Sequence, residues 1–314
     1  MAYAMNNEQR SPGSTTGKAI AAVKLVFTPI AVGCLLFVAW RSRDTLEALL
    51  VRADGVRLFT SAVLWAALHT ISPVFSTRFF RAVGGKVSYG TAWMIHATRL
   101  PAKYLPGGVW HTAARLSDFH GHGLQGNQLA AFAFLENVLA LCVTLGSGGL
   151  LMAISLVPVE SRMMAIGAAI VAAIGWFATY RVANRLVRRL GIKIEFNRFA
   201  DLTAVVVLFW VVATLSFLSY VSAFDAGLVR HSAIKVAGAY LVSWAVGFVA
   251  IFAPQGIGVF ELVASLLINL SISAGGAVAL FAGFRVIMLI GDAMIWLASV
   301  IMRVAFPVIR RGRA

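Results

Sequence analysis

The stretch Pro254-Gln255-Gly256-Ile257-Gly258-Val259-Phe260-Glu261 places two glycines, a proline and a carboxylate between apolar runs. Residues 245–253 before it and 262–270 after it carry no charge. A carboxylate at the centre of a bilayer costs about 2–3 kcal/mol or more, and such groups face a protein interior or a watery cavity. Irregular backbone at that depth is tolerated under the same condition. Glu261, with Pro254, Gly256 and Gly258, therefore marks a polar site inside a membrane protein.

Other ionisable residues sit in similar surroundings. Arg285 lies within Ala282-Gly283-Phe284-Arg285-Val286-Ile287, and Asp292 follows seven residues later on roughly the same helix face. Opposite charges at depth should pair, so a Glu261–Arg285 or an Asp292–Arg285 bridge is expected. The alternative is a polar track for a charged headgroup. Glu136 stands beside Asn137 in an apolar run. It is either a charge partner or headgroup-amine contact, or an interhelix hydrogen-bonding group. Arg115 either binds phosphate bidentately or is one more basic residue of a cytoplasmic loop. His111, His120 and His122 with Asp118 lack a metal-ligand spacing fixed by a helix, so a solvated loop is expected, with no metal and no cofactor. His69 reads as a packing residue, and Cys34 and Cys142 as buried free thiols.

These residues need membrane helices to position them. Hydrophobic residues make up 60% of the 314-residue chain and charged residues only 12%, about half the share of a soluble domain. The mean hydropathy is +0.85. The expected architecture is an all-α bundle of about eight transmembrane spans, with re-entrant or broken helices. The spans are expected near 19–40, 58–76, 128–153, 163–180, 202–224, 233–253, 259–273 and 276–305. Residues 1–18 read as a disordered cytoplasmic tail, 19–306 as the membrane domain and 307–314 as a basic cytoplasmic tail. The net charge of +15 is clustered at 77–118, 181–201 and 303–313. That distribution follows the positive-inside rule rather than a nucleic-acid surface, and places both termini in the cytoplasm of an inner-membrane protein.

Residues 89–111 are apolar at first, then broken by Pro101, Pro106, Gly107 and Gly108. They are expected to enter the membrane without crossing it. The Pro-Gly elements at 106–108 and 254–258 suggest paired discontinuous helices of the kind transporters build around a midplane site.

Enzyme signatures are missing: there is no P-loop, no Gly-x-Ser-x-Gly elbow and no soluble domain for group transfer. The order Lys103-Tyr104-Leu105-Pro106-Gly107-Gly108-Val109-Trp110, Arg115, Glu136, Pro254 to Glu261, then Arg285 resembles the membrane domain of lysylphosphatidylglycerol synthase/flippase proteins. The likeness covers about residues 20–306. Two departures are Asn137 in place of an arginine after Glu136, and Gln255 in place of a glycine after Pro254. The resemblance implies translocation of an anionic phospholipid or of a polyprenyl-linked or other glycolipid in envelope assembly, without aminoacyl transfer. It implies a headgroup site including Tyr104, Pro106, Gly107, Arg115, Glu136, Pro254, Gly256, Gly258, Glu261, Arg285 and Asp292. A non-catalytic scaffold that holds a glycosyltransferase or lipid synthase at the membrane is the alternative.

Overall fold

The computed structural model describes residues 33–104, 110–156, 162–250, 253–268 and 270–305. Their regular structure is entirely helical. A short helix α1 (33–41) leads into α2 (Arg43–Arg52) and the long α3 (Gly55–Ala82). Then come α4 (Tyr89–Thr98), a 3-10 turn (Leu100–Tyr104), α5 (Trp110–Gly121), α6 (Gly126–Leu156) and α7 (Arg162–Arg188). The chain continues with α8 (Phe196–Phe224), α9 (Ala226–Val249), a second 3-10 turn (Pro254–Gly256), α10 (Val259–Leu267) and α11 (Ala274–Ala305).

Among the described residues, five helices are long and apolar enough to cross a membrane: α3, α6 over Gly126–Ser155, α8, α9 and α11. The expected count of eight is not reached among the described residues. The run 163–180 falls in α7, which is not among the five. Most of 19–40 lies outside the described residues, as do both terminal tails, Pro106 and Gly107. The run 259–273 is corrected: α10 has nine residues, about 14 Å, and a bilayer core is about 30 Å thick.

Small residues bring the long helices together, because between lipid-facing helices close contact and hydrogen bonds replace the hydrophobic drive. Buried Ser61 of α3 and Ser216 of α8 exchange bonds, each hydroxyl donating to the other's carbonyl at 2.8 Å. Between α6 and α9, a Cβ on Gly238 would lie 2.9 Å from the Met152 amide, so only glycine permits that approach.

Two helical hairpins enter the bundle from opposite ends. The first comprises α4, the Leu100–Tyr104 turn and α5. It starts and finishes at the C-terminal end of α3, where a Cβ on Gly85 would meet Leu124 at 2.7 Å. Ser88 caps α4 by accepting from the Thr91 amide at 3.1 Å. Phe119 of α5 packs on Phe80 and Phe132, with centroids 4.8 and 5.7 Å away. At ten residues, α4 is too short to cross a bilayer; residues 105–109 of the expected re-entry at 89–111 lie outside the described residues.

The second hairpin comprises α9, the Pro254–Gly256 turn and α10. Gly256 abuts Gly247, and Phe260 lies edge-on to Tyr240 with centroids 6.0 Å apart, so α10 runs back along α9. This pair starts and finishes at the N-terminal end of α3. There the Asp54 amide donates to Ala223 at 3.0 Å, just before α9, and Gly276 of α11 lies against Thr45 of α2. Phe217, Tyr240, Phe260 and Phe284 form the aromatic cluster beneath this hairpin.

Cys34 and Cys142 are both free thiols, but neither is buried: Cys34 is exposed and Cys142 half-buried.

Candidate functional site

The tips of the two hairpins touch: the Gln255 side-chain amide donates to the Lys103 carbonyl. The backbone at the second tip is strained to allow this. Gln255 adopts φ 54° and ψ 22°, and is followed by Gly256 at φ 66° and Gly258 at φ 85°. Left-handed backbone costs a non-glycine residue about 1–2 kcal/mol. Gln255 bears that strain and gains a bond to the other hairpin.

Both tips meet α11. The buried Asp292 carboxylate accepts four hydrogen bonds. Trp65 Nε1 donates to Oδ1 at 2.8 Å, and His69 Nε2 lies 2.9 Å from the same oxygen. Lys103 Nζ and Tyr104 Oη each donate to Oδ2 at 2.8 Å. Asp292 therefore pairs with Lys103, and the alternative of an Asp292–Arg285 bridge is overturned. Burial, followed by the neighbouring Asp292 charge, pushes the Tyr104 hydroxyl up from its ordinary pKa, which keeps its proton in place.

Arg285 instead donates through Nε to Glu261, which is completely buried. Glu261 also accepts from the Gly258 amide at 2.8 Å, in the first turn of α10 where a helix dipole favours a carboxylate. Arg285 Nη2 reaches the Gln255 carbonyl at 3.3 Å. Arg115, on α5 and buried, makes a fork to Glu136 of α6, with Nη1 3.1 Å from Oε2 and Nη2 3.0 Å from Oε1. This settles Arg115 as a buried ion-pair member rather than a solvated loop cation, and Glu136 as its interhelix partner.

The three pairs surround a cavity of about 570 Å³. Lys103, Arg285, Arg115 and Glu136 line it, while Asp292 and Glu261 do not. Lys103 and Arg285 side chains are each 24% exposed, against 1% and 0% for their carboxylates. At the third pair the order reverses, with Glu136 at 23% and Arg115 at 4%. The cavity thus presents two cations held from behind, and one carboxylate. Aromatic and aliphatic groups such as Phe75, Phe209, Trp210, Trp244, Phe248 and Met288 form the rest of its wall.

Histidines border the same cavity. His69 Nδ1 lies 2.9 Å from His96 Nε2, and Ser72 Oγ lies 3.4 Å from His96 Nδ1. The His111 ring stands edge-on to His96 at 5.4 Å, and its buried Nε2 has no hydrogen-bond partner among the described residues. Burial, then neighbouring His69 and Arg115, pushes His96 well below the ordinary histidine pKa. Burial, then Arg115 and Lys103, does the same to His111. No three His, Cys, Asp or Glu side chains among the described residues are grouped to hold a metal ion. His111 is separate from His120, which sits at the far end of α5 near the Leu124 carbonyl, and Asp118 pairs with Arg99.

Of the expected site residues, Tyr104, Arg115, Glu136, Gly256, Gly258, Glu261, Arg285 and Asp292 converge here, with Pro254 in the tip backbone. Lys103, His69, His96 and Trp65 belong to the site and were not among them. Lys103 counted only among the basic residues of the stretch 77–118. His69, polar in the middle of an apolar run, carried the one signal that could have pointed to them.

Fold and site together define a multi-pass membrane protein with two opposed helical hairpins around a charged internal cavity. Neither protein-family models nor curated proteins yield a match to this chain. The likeness to the lysylphosphatidylglycerol synthase/flippase membrane domain rests on the motifs alone.

Proposed function

We propose that this protein moves the headgroup of an anionic phospholipid or glycolipid across the inner membrane, as a flippase-like transporter rather than an enzyme. One observation carries the reading: Lys103 and Arg285, from two different elements, face one cavity while their carboxylate partners sit behind them. A phosphate entering the cavity finds two charge donors already oriented, and charge-assisted bonds of this kind are about twice as strong as neutral ones. Glu136 offers an acceptor for an amine or hydroxyl of the same headgroup. Glu261, being fully buried, acts by holding Arg285 rather than by touching the lipid.

The cavity volume lies within the range of about 300–1,000 Å³ usual for small-molecule sites. It suits a headgroup whose acyl or prenyl tails stay in the bilayer. The clustering of basic residues at 77–118, 181–201 and 303–313 supports an orientation with both termini in the cytoplasm. The resemblance to the lysylphosphatidylglycerol synthase/flippase membrane domain supports an envelope-lipid role. The test is purified protein in liposomes, with fluorescent phospholipids and glycolipids offered separately and bleaching of the outer leaflet as the readout. Accelerated movement of an anionic lipid is expected. Movement of none would favour a scaffold that partners a separate glycosyltransferase or lipid synthase.

A further inference from the structure

Asp292 is joined to Ser72 by an unbroken line of groups that can each reverse hydrogen-bond polarity. A carboxylate only accepts, so His69 must donate from Nε2. A neutral His69 then accepts at Nδ1, which requires His96 to donate from Nε2. A neutral His96 accepts at Nδ1, so Ser72 donates its hydroxyl proton. With both rings neutral, the tautomers are fixed by the carboxylate at the end. If a proton arrives on His96 Nδ1, the proton on His96 Nε2 passes to His69 Nδ1, and the proton on His69 Nε2 passes to Asp292 Oδ1. Both rings end neutral, every link survives with reversed polarity, and Asp292 has become an uncharged acid. Trp65 and Lys103 can only donate to Asp292, so they cannot carry this reversal.

We propose that binding of an anion by Lys103 is balanced by uptake of one proton onto Asp292, delivered through His96 and His69. Lys103 is the cation that holds the Asp292 charge, and it also lines the cavity. When a phosphate draws the ammonium away, Asp292 is left as a buried charge without its ion pair. Protonation removes that charge. Ser72, His96 and His69 border the same cavity, so the proton enters from its water. His111, whose Nε2 has no partner among the described residues, stands beside His96 at that entrance.

The charged surroundings favour this outcome over a lasting imidazolium. His111 and Arg115 face the histidines from α5 and Lys103 faces them from the first tip. Glu136 is engaged by Arg115. These cations disfavour a positive ring, and Asp292 is the remaining group on the line able to take the proton. His–Asp chains at membrane depth are a known device for proton relay. By linkage, lower pH must then tighten anion binding by the same factor as anion binding favours proton uptake.

The inference deepens the lipid-transport reading by naming what accompanies the headgroup, but its first test needs no lipid. Lys103→Met removes the cation that Asp292 loses on anion binding. Infrared difference spectroscopy at neutral pH should show the carbonyl stretch of a protonated carboxylic acid in Lys103→Met. The wild type should lack it, and so should Lys103→Met combined with Asp292→Asn. Folded Lys103→Met without that band overturns the proposal. The second arm uses wild-type protein and short-chain phosphatidylglycerol as probe, with a pH-indicator dye. It should report one proton taken up per anion bound, and none in His69→Gln. Binding without uptake, uptake unchanged in His69→Gln, or no binding overturns the coupling. Failure of every lipid to move in liposomes would defeat the transport reading while leaving the infrared result standing.

Discussion

Lys103 Nζ lies 2.8 Å from Asp292 Oδ2, tying the tip of one helical hairpin to the middle of α11. The other tip is tied to the same helix through Glu261 and Arg285. One helix thus carries both the anchor for the first hairpin and the cation of the second.

Removing Arg285 leaves Glu261 as a buried charge with one backbone donor. Breaking a buried pair from one side commonly costs about 3–5 kcal/mol. The partial exposure of Arg285 puts Arg285→Ala at the lower end, about 3 kcal/mol. Glu261→Gln keeps an acceptor for the Gly258 amide and leaves a cation that cavity water reaches, so its cost should be smaller. Unfolding of the two variants in the same detergent checks the order. A less stable Glu261→Gln would show that Glu261 does more than hold Arg285.

Gly256 tolerates no side chain. A Cβ there would lie 2.8 Å from the Gly247 Cα, and its φ of 66° is left-handed. Gly256→Ala should cost about 2 kcal/mol or more from strain and overpacking together. Gln255→Gly should relieve the backbone but lose the bond to Lys103. It should therefore leave stability within about 1 kcal/mol of wild type, while loosening the contact between the tips. Thermal melts compare the two, and equal losses would contradict this account of the turn.

The serine exchange between α3 and α8 offers a control remote from the cavity. Hydrogen bonds between membrane helices average about 0.6 kcal/mol in coupling, with a maximum near 1.7 kcal/mol. Ser61→Ala and Ser216→Ala should each destabilise by about 1 kcal/mol, and the double variant by less than their sum. Strict additivity in the double-mutant cycle would mean that the exchange contributes nothing.

His96 and His111 give the fold a pH dependence. Their folded pKa values lie below the unfolded value of about 6.5. Between the two values the unfolded chain binds more protons, so stability rises with pH in that window. The contribution is complete above about pH 6.5 and is lost as the pH falls below it. Melting temperature should therefore drop on going from about pH 7 to about pH 5, and drop less in His96→Gln. An equal drop in both would place the acid sensitivity elsewhere.

The charges and the breakers were legible in the sequence; their pairing was only partly so. A proline, two glycines and a glutamate between apolar runs could be read as a broken helix with a polar function, and α9, the turn and α10 have that form. The run 259–273 was apolar enough to be taken for a crossing, because hydropathy reports environment and not direction. The contacts of Gly256 with Gly247 and of Phe260 with Tyr240 show that the chain turns back. Likewise, the spacing of Arg285 and Asp292 on one helix made their bridge as plausible as the Glu261–Arg285 pair. Lys103, 189 residues before Asp292, takes that partner through a tertiary contact that no local pattern encodes.

The central claim is that Lys103 and Arg285 together receive an anionic headgroup in one cavity. Its most direct test is the rate of movement of fluorescent phosphatidylglycerol in liposomes holding equal amounts of folded protein. Wild type should be compared with Lys103→Gln, Arg285→Gln and, as a control, Arg78→Gln, which removes a more exposed pair with Asp201. Loss of a charged hydrogen bond worth about 1.5–3 kcal/mol predicts a rate reduced about tenfold or more in each cavity variant. The Arg78 control should keep the wild-type rate. Wild-type rates in both cavity variants would contradict the assignment of this cavity as the path of the lipid.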